Sequence, residues 1–234
     1  MYYLEVAPII LSRKDSEHFT YSSAVQVPVG TIVTIMLGKK TTVGIVLAKT
    51  KKPMYECKQI ASIVDETALP IALIKTAKWM SAYYQTHLSS TLNTLLPSGI
   101  TKKRQKKAPL EHKTVRASSE KKPTPNQQKA IDTIMESAST THLLHGVTGS
   151  GKTLVYIECA KKLFKDGLSS IILVPEIALT SQTLDEFKQV LHDDVLVTHS
   201  RQTEAQRHAV WLRALHAKTP KIVIGPRSAL FLPI

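Results

Sequence analysis

Residues 142–160 read "HLLHGVTGSGKTLVYIECA", which sets a short apolar run, a glycine-rich turn and a second apolar run back to back. The turn, "GVTGSGKT" from Gly146 to Thr153, fits the spacing G-x-x-x-x-G-K-[ST] at every position. The flanking runs predict a strand over 142–146 and a helix over 152–165, the context in which such a loop binds phosphate. Gly146, Gly149 and Gly151, with Thr148 and Ser150 between them, let successive backbone N–H groups converge on phosphate oxygens at the positive end of a helix. Lys152 is positioned to reach the β- and γ-phosphates, and Thr153 to offer its hydroxyl to Mg²⁺. These two are the candidate catalytic residues, and ATP with Mg²⁺ is the expected cofactor. A flexible glycine turn with an incidental lysine is the plainer alternative, and the strand and helix on either side weigh against it. His142 and His145 flank the loop without an acid or cysteine at ligand spacing, so they read as a strand-edge pair and not as a metal site.

Downstream the pattern alternates. A helix is predicted over 126–138, then a strand at 170–175, a helix at 180–191, a strand at 194–199, a helix at 203–217 and a strand at 221–225. Apolar strands such as "SIILV" and "KIVIG" alternating with helices imply a parallel sheet covered on both faces.

Upstream the pattern differs. "YLEVAPII", "TIVTIML", "TVGIVLA" and "KQIASIV" are β-branched runs broken by Gly, Pro and Lys, and a small β-barrel or curled sheet is their natural packing. From Leu69 a helical period sets in, with Ile74, Ala77, Trp79, Met80 and Tyr83 at helical spacing and Pro70 suited to the first turn. Trp79, Tyr83 and Tyr84 are expected to belong to a helix packed on the sheet. Residues 101–125 are basic, almost without apolar periodicity and closed by two prolines, and read as a linker. The organisation is therefore α/β: a small β-rich N-terminal domain (1–100), a basic linker (101–125) and an incomplete P-loop, RecA-like lobe with a parallel sheet (126–234).

The formal net charge of +13 is unevenly spread. Residues 1–122 carry 19 Lys/Arg against 8 Asp/Glu, a net of +11, whereas 123–234 carry 12 against 10, a net of +2. That excess points to a polyanion partner, nucleic acid, for the first half. Cys57 and Cys159 are far apart and lack a CxxC partner, which argues against a disulfide scaffold or a zinc site and fits a reducing cytosol. The N-terminus lacks the features of a signal peptide, and no apolar run approaches the roughly 18 residues of a membrane span. A soluble, cytoplasmic protein is expected, with no membrane partner.

Three further stretches narrow the reading: "ILVPEIALTSQT" (172–183), "VTHSRQTEAQRHAVW" (197–211) and "IVIGPRSALFLPI" (222–234). In this order after "GVTGSGKT", they resemble the bacterial primosomal replication-restart helicases, the PriA (primosomal protein N′) family of helicase superfamily two. "LVPEIALT" looks like motif Ia, "THS" like the strand-end motif after it, and "GPRSALF" like motif Ib. "TPNQQKAI" is similar to the adenine-sensing glutamine motif, with Gln127 in the place of the glutamine. The first hundred residues resemble the family's 3′ DNA-end-binding domain through "FTY", "VPVGTIVTIMLGKK", "VGIVLA" and "WMSAYYQTHLSSTLNTLLP". The resemblance implies capture of a nascent 3′ end at a stalled fork and ATP-driven 3′-to-5′ movement on single-stranded DNA. It also implies work with primosome proteins and the loader of the replicative helicase, near the bacterial nucleoid. Pro175, Glu176, Arg227, Ser228 and Ala229 sit where the family's first helicase lobe faces DNA. Phe19 and Tyr21 are the candidates for base stacking, with sheet packing as the alternative for alternating strand aromatics. Lys39 and Lys40 are the candidate phosphate contacts of the β-rich module.

The chain departs from the family pattern in four places. Thr20 stands where the "F-x-Y" stretch usually carries an acid, and a hydroxyl accepts hydrogen bonds more weakly than a carboxylate. Around the "GIV" strand, "IMLG" at 35–38 and Val43 replace the usual residues, so Lys39 and Lys40 keep charge without the bidentate geometry of arginine. The family's winged-helix domain has no counterpart between Pro97 and Gln127. Finally, the acidic motif II is expected on a strand beyond Ile234, as are the second lobe and the cysteine-rich zinc insertion. This chain alone is thus expected to bind ATP and DNA without efficient hydrolysis or unwinding. A non-enzymatic module for single-stranded or forked DNA is the alternative.

Overall fold

The computed structural model describes residues 1–11, 16–101, 122–137, 140–175 and 194–234. The chain divides into two compact units. The first comprises residues 1–105, 203–216 and 231–234, and the second comprises 106–202 and 217–230.

In the first unit, five antiparallel strands run in the order β2-β1-β4-β3-β5. They are β1 (Tyr2–Pro8), β2 (Phe19–Ser23), β3 (Ile32–Leu37), β4 (Lys40–Thr50) and β5 (Ser62–Ile63). The register slips between Glu5 and Val6 where β1 meets β4, a bulge that bends the sheet. The segment entering β5 then pairs on both sides. Ser22 donates its N–H to the Lys58 carbonyl and Ile60 donates to that of Ser22, while Ala61 and Val64 donate to Thr34 and Ile32. The curled sheet is thereby closed on itself, as its short, bulged strands lead one to expect. Inward-facing Leu4, Val6, Tyr21, Val27, Val33, Ile35 and Val46 form the core. Gly38, at φ 60°, opens the two-residue turn between β3 and β4, where a positive φ at the first position matches the strand twist.

Helix α1 (Ile71–Tyr83) begins after Pro70, and α2 (Leu88–Thr94) follows with His87 Nδ1 accepting from the Ser89 N–H. Leu73, Ile74, Ala77 and Ser81 form the buried stripe of α1. Trp79 and Tyr83 lie off that stripe, and with Tyr84 they are 57%, 66% and 62% exposed. The expectation that these three pack on the sheet is corrected. They stack on one another instead, with Trp79 and Tyr83 ring centroids 5.0 Å apart and the Tyr83–Tyr84 pair edge to face at 4.9 Å. Gly30 is the hinge on which α1 is seated: at φ 93° its N–H bonds the Val46 carbonyl and its own carbonyl accepts from Leu69. A Cβ there would lie 2.5 Å from the Leu69 carbonyl oxygen. Gly30→Ala is expected to cost about 2–4 kcal/mol from strain and overpacking combined, read as a fall of roughly 10 °C or more in thermal unfolding. An unchanged melting temperature would mean that this turn adapts freely.

Helix α5 (Glu204–Leu215) also belongs to this first unit, although it lies between strands of the second along the chain. Its N-cap Thr203 and Gln206 form a reciprocal capping box. Trp211 is buried and donates its indole N–H to the Leu95 carbonyl at 2.8 Å, and His216 meets Asp65 at 2.9 Å.

The second unit holds α3 (Pro125–Glu136), α4 (Lys152–Lys165) and a parallel sheet of β6 (Ser170–Leu173), β8 (Ile222–Gly225) and β7 (Val195–Val197), with β8 central. All four residues of β8 are buried, as the continuous apolar run of a parallel strand requires. Ile157 and Ala160 of α4 pack on Val195, Ile222 and Ile224. Lys221 pairs with Asp194 at the start of the sheet, tying β8 to the residue before β7. Ile131 of α3 packs on Val155 and Cys159, where burial pushes the Cys159 thiol up and keeps it protonated. Across the same helix pair, Lys162 and Gln128 hydrogen-bond Asp132 and hold its carboxyl below the ordinary range. Residues 142–146, expected as a strand, join no ladder among the described residues. Leu143 is 93% exposed and only Leu144 packs, against the Ile131 cluster, so one side chain of five gives the segment a purchase on the core. The helix expected at 180–191, Glu176, and residues 102–121 of the expected linker lie outside the described residues.

Candidate nucleotide and nucleic-acid sites

The loop from Gly146 to Thr153 leads directly into α4, whose first residue is Lys152. Gly149 and Gly151 both stand at φ 81°, a backbone region that glycine enters without a Cβ penalty. Gly151 is the N-cap of α4, so the helix opens without a capping side chain and its first N–H groups are left for a ligand. A Cβ on Gly146 would lie 2.6 Å from Ser150 Oγ, which accounts for glycine at that end of the turn. Lys152 folds back over the loop and donates from Nζ to the Gly146 carbonyl at 2.7 Å and the Val147 carbonyl at 3.0 Å. Its ammonium can exchange those neutral acceptors for phosphate oxygens, which bind a cation more strongly. Half-buried Thr153 sits in the first turn of the helix, and Thr148 and Ser150 are exposed on the turn. The donor set fits a Mg²⁺-bound nucleoside triphosphate.

Gln127 lies beside this loop. Its Oε1 accepts from the Thr124 N–H at 2.8 Å, and its Nε2 donates to the Ser150 carbonyl at 3.0 Å.

The carboxyl ends of the three parallel strands carry the second group of candidate residues. Pro175 follows β6 and is exposed, Thr198 and His199 follow β7, and Arg227 and Ser228 follow β8 on a short 3-10 helix (Arg227–Phe231), both exposed. Ala229 is fully buried, so it seats the turn and does not face solvent. In an open α/β sheet the carboxyl edge is where ligands bind. Gln202, which the sequence did not single out, fixes the turn after β7: its Nε2 donates to the Val197 carbonyl at 2.9 Å and its Oε1 accepts from the His199 N–H at 3.2 Å.

In the β-rich module, Lys39 and Lys40 are exposed at the β3–β4 turn. Tyr21 is 4% exposed and its hydroxyl donates to the Met36 carbonyl at 3.0 Å, while burial raises its phenol pKa. The stacking expectation is corrected for Tyr21, whose ring fills the core. Phe19 is half-buried against that core and keeps part of its surface open. Two residues without any signal in the sequence join this neighbourhood. Tyr55 donates its hydroxyl to Thr20 Oγ1 at 3.1 Å, and Lys58 donates from Nζ to the Gly38 carbonyl at 2.7 Å. The closure of the sheet brings them there, since residues 58–60 run along β2. The closing segment thus joins Thr20 to Tyr55 and Gly38 to Lys58, with Lys39 and Lys40 next along the chain from Gly38.

Together these features define a RecA-like P-loop lobe in one chain with a basic, β-rich module. A family profile described as the "3'DNA-binding domain (3'BD)" of PriA matches residues 8–97, and one described as "Type III restriction enzyme, res subunit" matches residues 120–234. The replication restart protein PriA of Helicobacter pylori strain 26695 is 30% identical over 239 aligned residues, covering 100% of this chain and 35% of the relative. That of Treponema pallidum is 33% identical over 92% of this chain and 35% of the relative. That of Chlamydia pneumoniae is 46% identical over 47% of this chain and 15% of the relative. The chain belongs to the PriA replication-restart protein family. It spans about a third of the length of the Helicobacter and Treponema relatives, 35% of each. Among the described residues no helix is long and apolar enough to cross a membrane, and no group of three or more His, Cys, Asp or Glu could hold a metal ion.

Proposed function

We propose that this chain is part of an ATP-dependent 3′-to-5′ DNA helicase that recognises stalled forks and restarts replication through primosome assembly. The β-rich module takes a DNA 3′ end, and the P-loop lobe takes ATP with Mg²⁺ and a single strand. The observation that carries the reading is the phosphate loop, with left-handed Gly149 and Gly151 ahead of Lys152 at a helix start. Lys152 would hold the β- and γ-phosphates, and Thr153 the Mg²⁺ ion, which supplies charge neutralisation to phosphoryl transfer. Arg227, Ser228 and Pro175, on the shared carboxyl edge of the sheet, would contact the DNA backbone, with Glu176 assigned to the same role by resemblance. Primosome proteins and the loader of the replicative helicase are the partners this reading brings, in the bacterial cytoplasm close to the nucleoid.

For the β-rich module, Phe19 supplies a partly open ring for stacking, and Lys39, Lys40 and Lys58 supply backbone charge. Thr20, held by Tyr55, presents a hydroxyl where a terminal ribose or base would hydrogen-bond. The test is a titration with fluorescent forked DNA whose leading-strand 3′ end is free or blocked, at two salt concentrations. Tighter binding to the free end at both salts is the expected result. Equal binding that collapses at high salt would leave a basic surface and no end recognition. Replacing Lys39 and Lys40 together by Gln should lower the slope of log affinity against log salt by about 1.4 on single-stranded DNA, at roughly 0.7 per phosphate contact. An unchanged slope would remove these lysines from the interface.

A further inference from the structure

We infer that Glu5 is a specificity-determining residue of the β-rich module, whose carboxylate accepts a hydrogen bond from the free 3′-hydroxyl of a DNA end and repels a 3′-phosphate. This inference rests on the DNA-end reading above and names the side chain that makes the choice. Across the five strands of the module Glu5 is the sole acid, in the basic half of the chain. An acid on a surface that takes DNA opposes the phosphate backbone, and that cost is offset where the ligand brings a donor to it. The β1–β2 ladder sets Glu5 directly opposite Thr20, on one face of the sheet with Cβ atoms about 5 Å apart. That face is the outer one, since the alternate residues Leu4, Val6 and Tyr21 belong to the core.

The strand on the other side of Glu5 opens room beside it. Glu5 pairs with Ala48 and Val6 with Val46, so Leu47 of β4 falls between them as a bulge. Glu5 and Leu47 line a cleft of about 750 Å³ with His18, Lys78 and Ser81. The Glu5 side chain is 34% exposed, and its one ion-pair partner among the described residues is His18 at 3.7 Å, beyond hydrogen-bond reach. Its oxygens are therefore available to a ligand. Thr20 complements them. Its Oγ1 accepts from the Tyr55 hydroxyl, which leaves its own proton to donate. A 3′-hydroxyl both donates and accepts, so it can accept from Thr20 and donate to Glu5. An ionised acceptor makes the second bond about twice as strong as a neutral one would. A 3′-phosphate brings negative charge and acceptor oxygens to the same place, and meets repulsion.

The experiment titrates the full chain, at one salt concentration, with labelled forked DNA whose leading strand ends in a 3′-hydroxyl, a 3′-phosphate or a 2′,3′-dideoxyribose. The parent should bind the hydroxyl end about tenfold more tightly than either of the others, the yield of one charge-assisted hydrogen bond. Glu5→Gln keeps the shape of the side chain without its charge and should melt as the parent does. It is expected to weaken binding of the hydroxyl end about fivefold, to strengthen binding of the phosphate end, and to leave the three ends within about threefold of one another. Movement in opposite directions separates end recognition from a general charge effect, because loss of one negative charge alone strengthens binding of all three ends alike. Uniform strengthening in Glu5→Gln would overturn the inference, as would retention of the parental preference. Equal binding of all three ends by the parent would refute the DNA-end reading itself and this inference with it, a result visible before any substitution is made.

Discussion

Lys152→Ala is expected to lower the affinity of the chain for a fluorescent ATP analogue by about 30- to 100-fold. That range corresponds to roughly 2–3 kcal/mol for hydrogen bonds between an ammonium and charged phosphate oxygens. The expected size follows from the geometry of the loop. Lys152 Nζ is held over the loop by the Gly146 and Val147 carbonyls, so little side-chain ordering remains to be done when phosphates arrive. The substitution leaves the fold intact, because the lysine is the first residue of α4 and alanine is the strongest helix former. Binding of the analogue by the variant as tight as by the parent would show that the loop does not hold phosphate.

Trp211→Ala has the largest expected effect on stability, about 3–5 kcal/mol. The indole is 4% exposed, and its N–H satisfies the carbonyl of Leu95, itself 1% exposed, across 116 residues of chain. Truncation opens a cavity and also leaves the Leu95 carbonyl without this partner, and the two costs add. Trp211→Phe retains most of the packing and should cost about 1–2 kcal/mol, which separates the hydrogen bond from the volume. Urea unfolding followed by circular dichroism reads both variants, and amide exchange at residues 88–95 should rise in the alanine variant. Unfolding at the parental midpoint for Trp211→Ala would mean that α5 is not anchored to the first unit.

Much of the local structure was legible in the residues. Helix α4 begins and ends where the glycine turn and apolar period place it, because glycine with positive φ stops regular structure sharply. The capped starts of α3 and α5 follow from Thr124 with Gln127 and Thr203 with Gln206, a three-residue spacing that needs nothing beyond the segment itself. The β-branched runs marked β1, β3 and β4, and apolar runs marked the half-exposed β6 and the buried β8, for a similar reason. The segment 142–146 was misjudged because an apolar run announces that it can pair, while pairing needs a neighbouring strand in register. The aromatics of α1 were misjudged in the opposite sense. A helical period identifies a helix, but Leu73, Ile74 and Ala77 took the buried stripe, and the angular offset sent Trp79 and Tyr83 to solvent.

The candidate sites divide along the same line. Lys152, Thr153 and the loop glycines are contiguous in sequence, so the chemistry proposed for them rests on a string of neighbours. Phe19 and Tyr21 are two residues apart in one strand and meet opposite fates, one half-buried and one sealed in the core, because sheet closure covers Tyr21 and sets its hydroxyl on Met36. Tyr55 and Lys58 join that surface only through the pairing of residues 58–60 with β2.

The sequence alone was enough for a glycine-rich loop at a helix start, a parallel-strand core and a basic β-rich half. Each depends on spacing within a few residues or on summed charge, and neither quantity changes when the chain folds. Tertiary structure alone decided that the Gln127 amide bonds Ser150, that Trp211 reaches Leu95, and that the barrel edge gathers Thr20 with Tyr55. Those are contacts between residues 23, 116 and 35 positions apart. The Trp211–Leu95 pair is buried, where donor and acceptor must satisfy one another, whereas the other two are exposed pairs that meet only because the folded chain brings distant segments together, and no local pattern encodes either outcome.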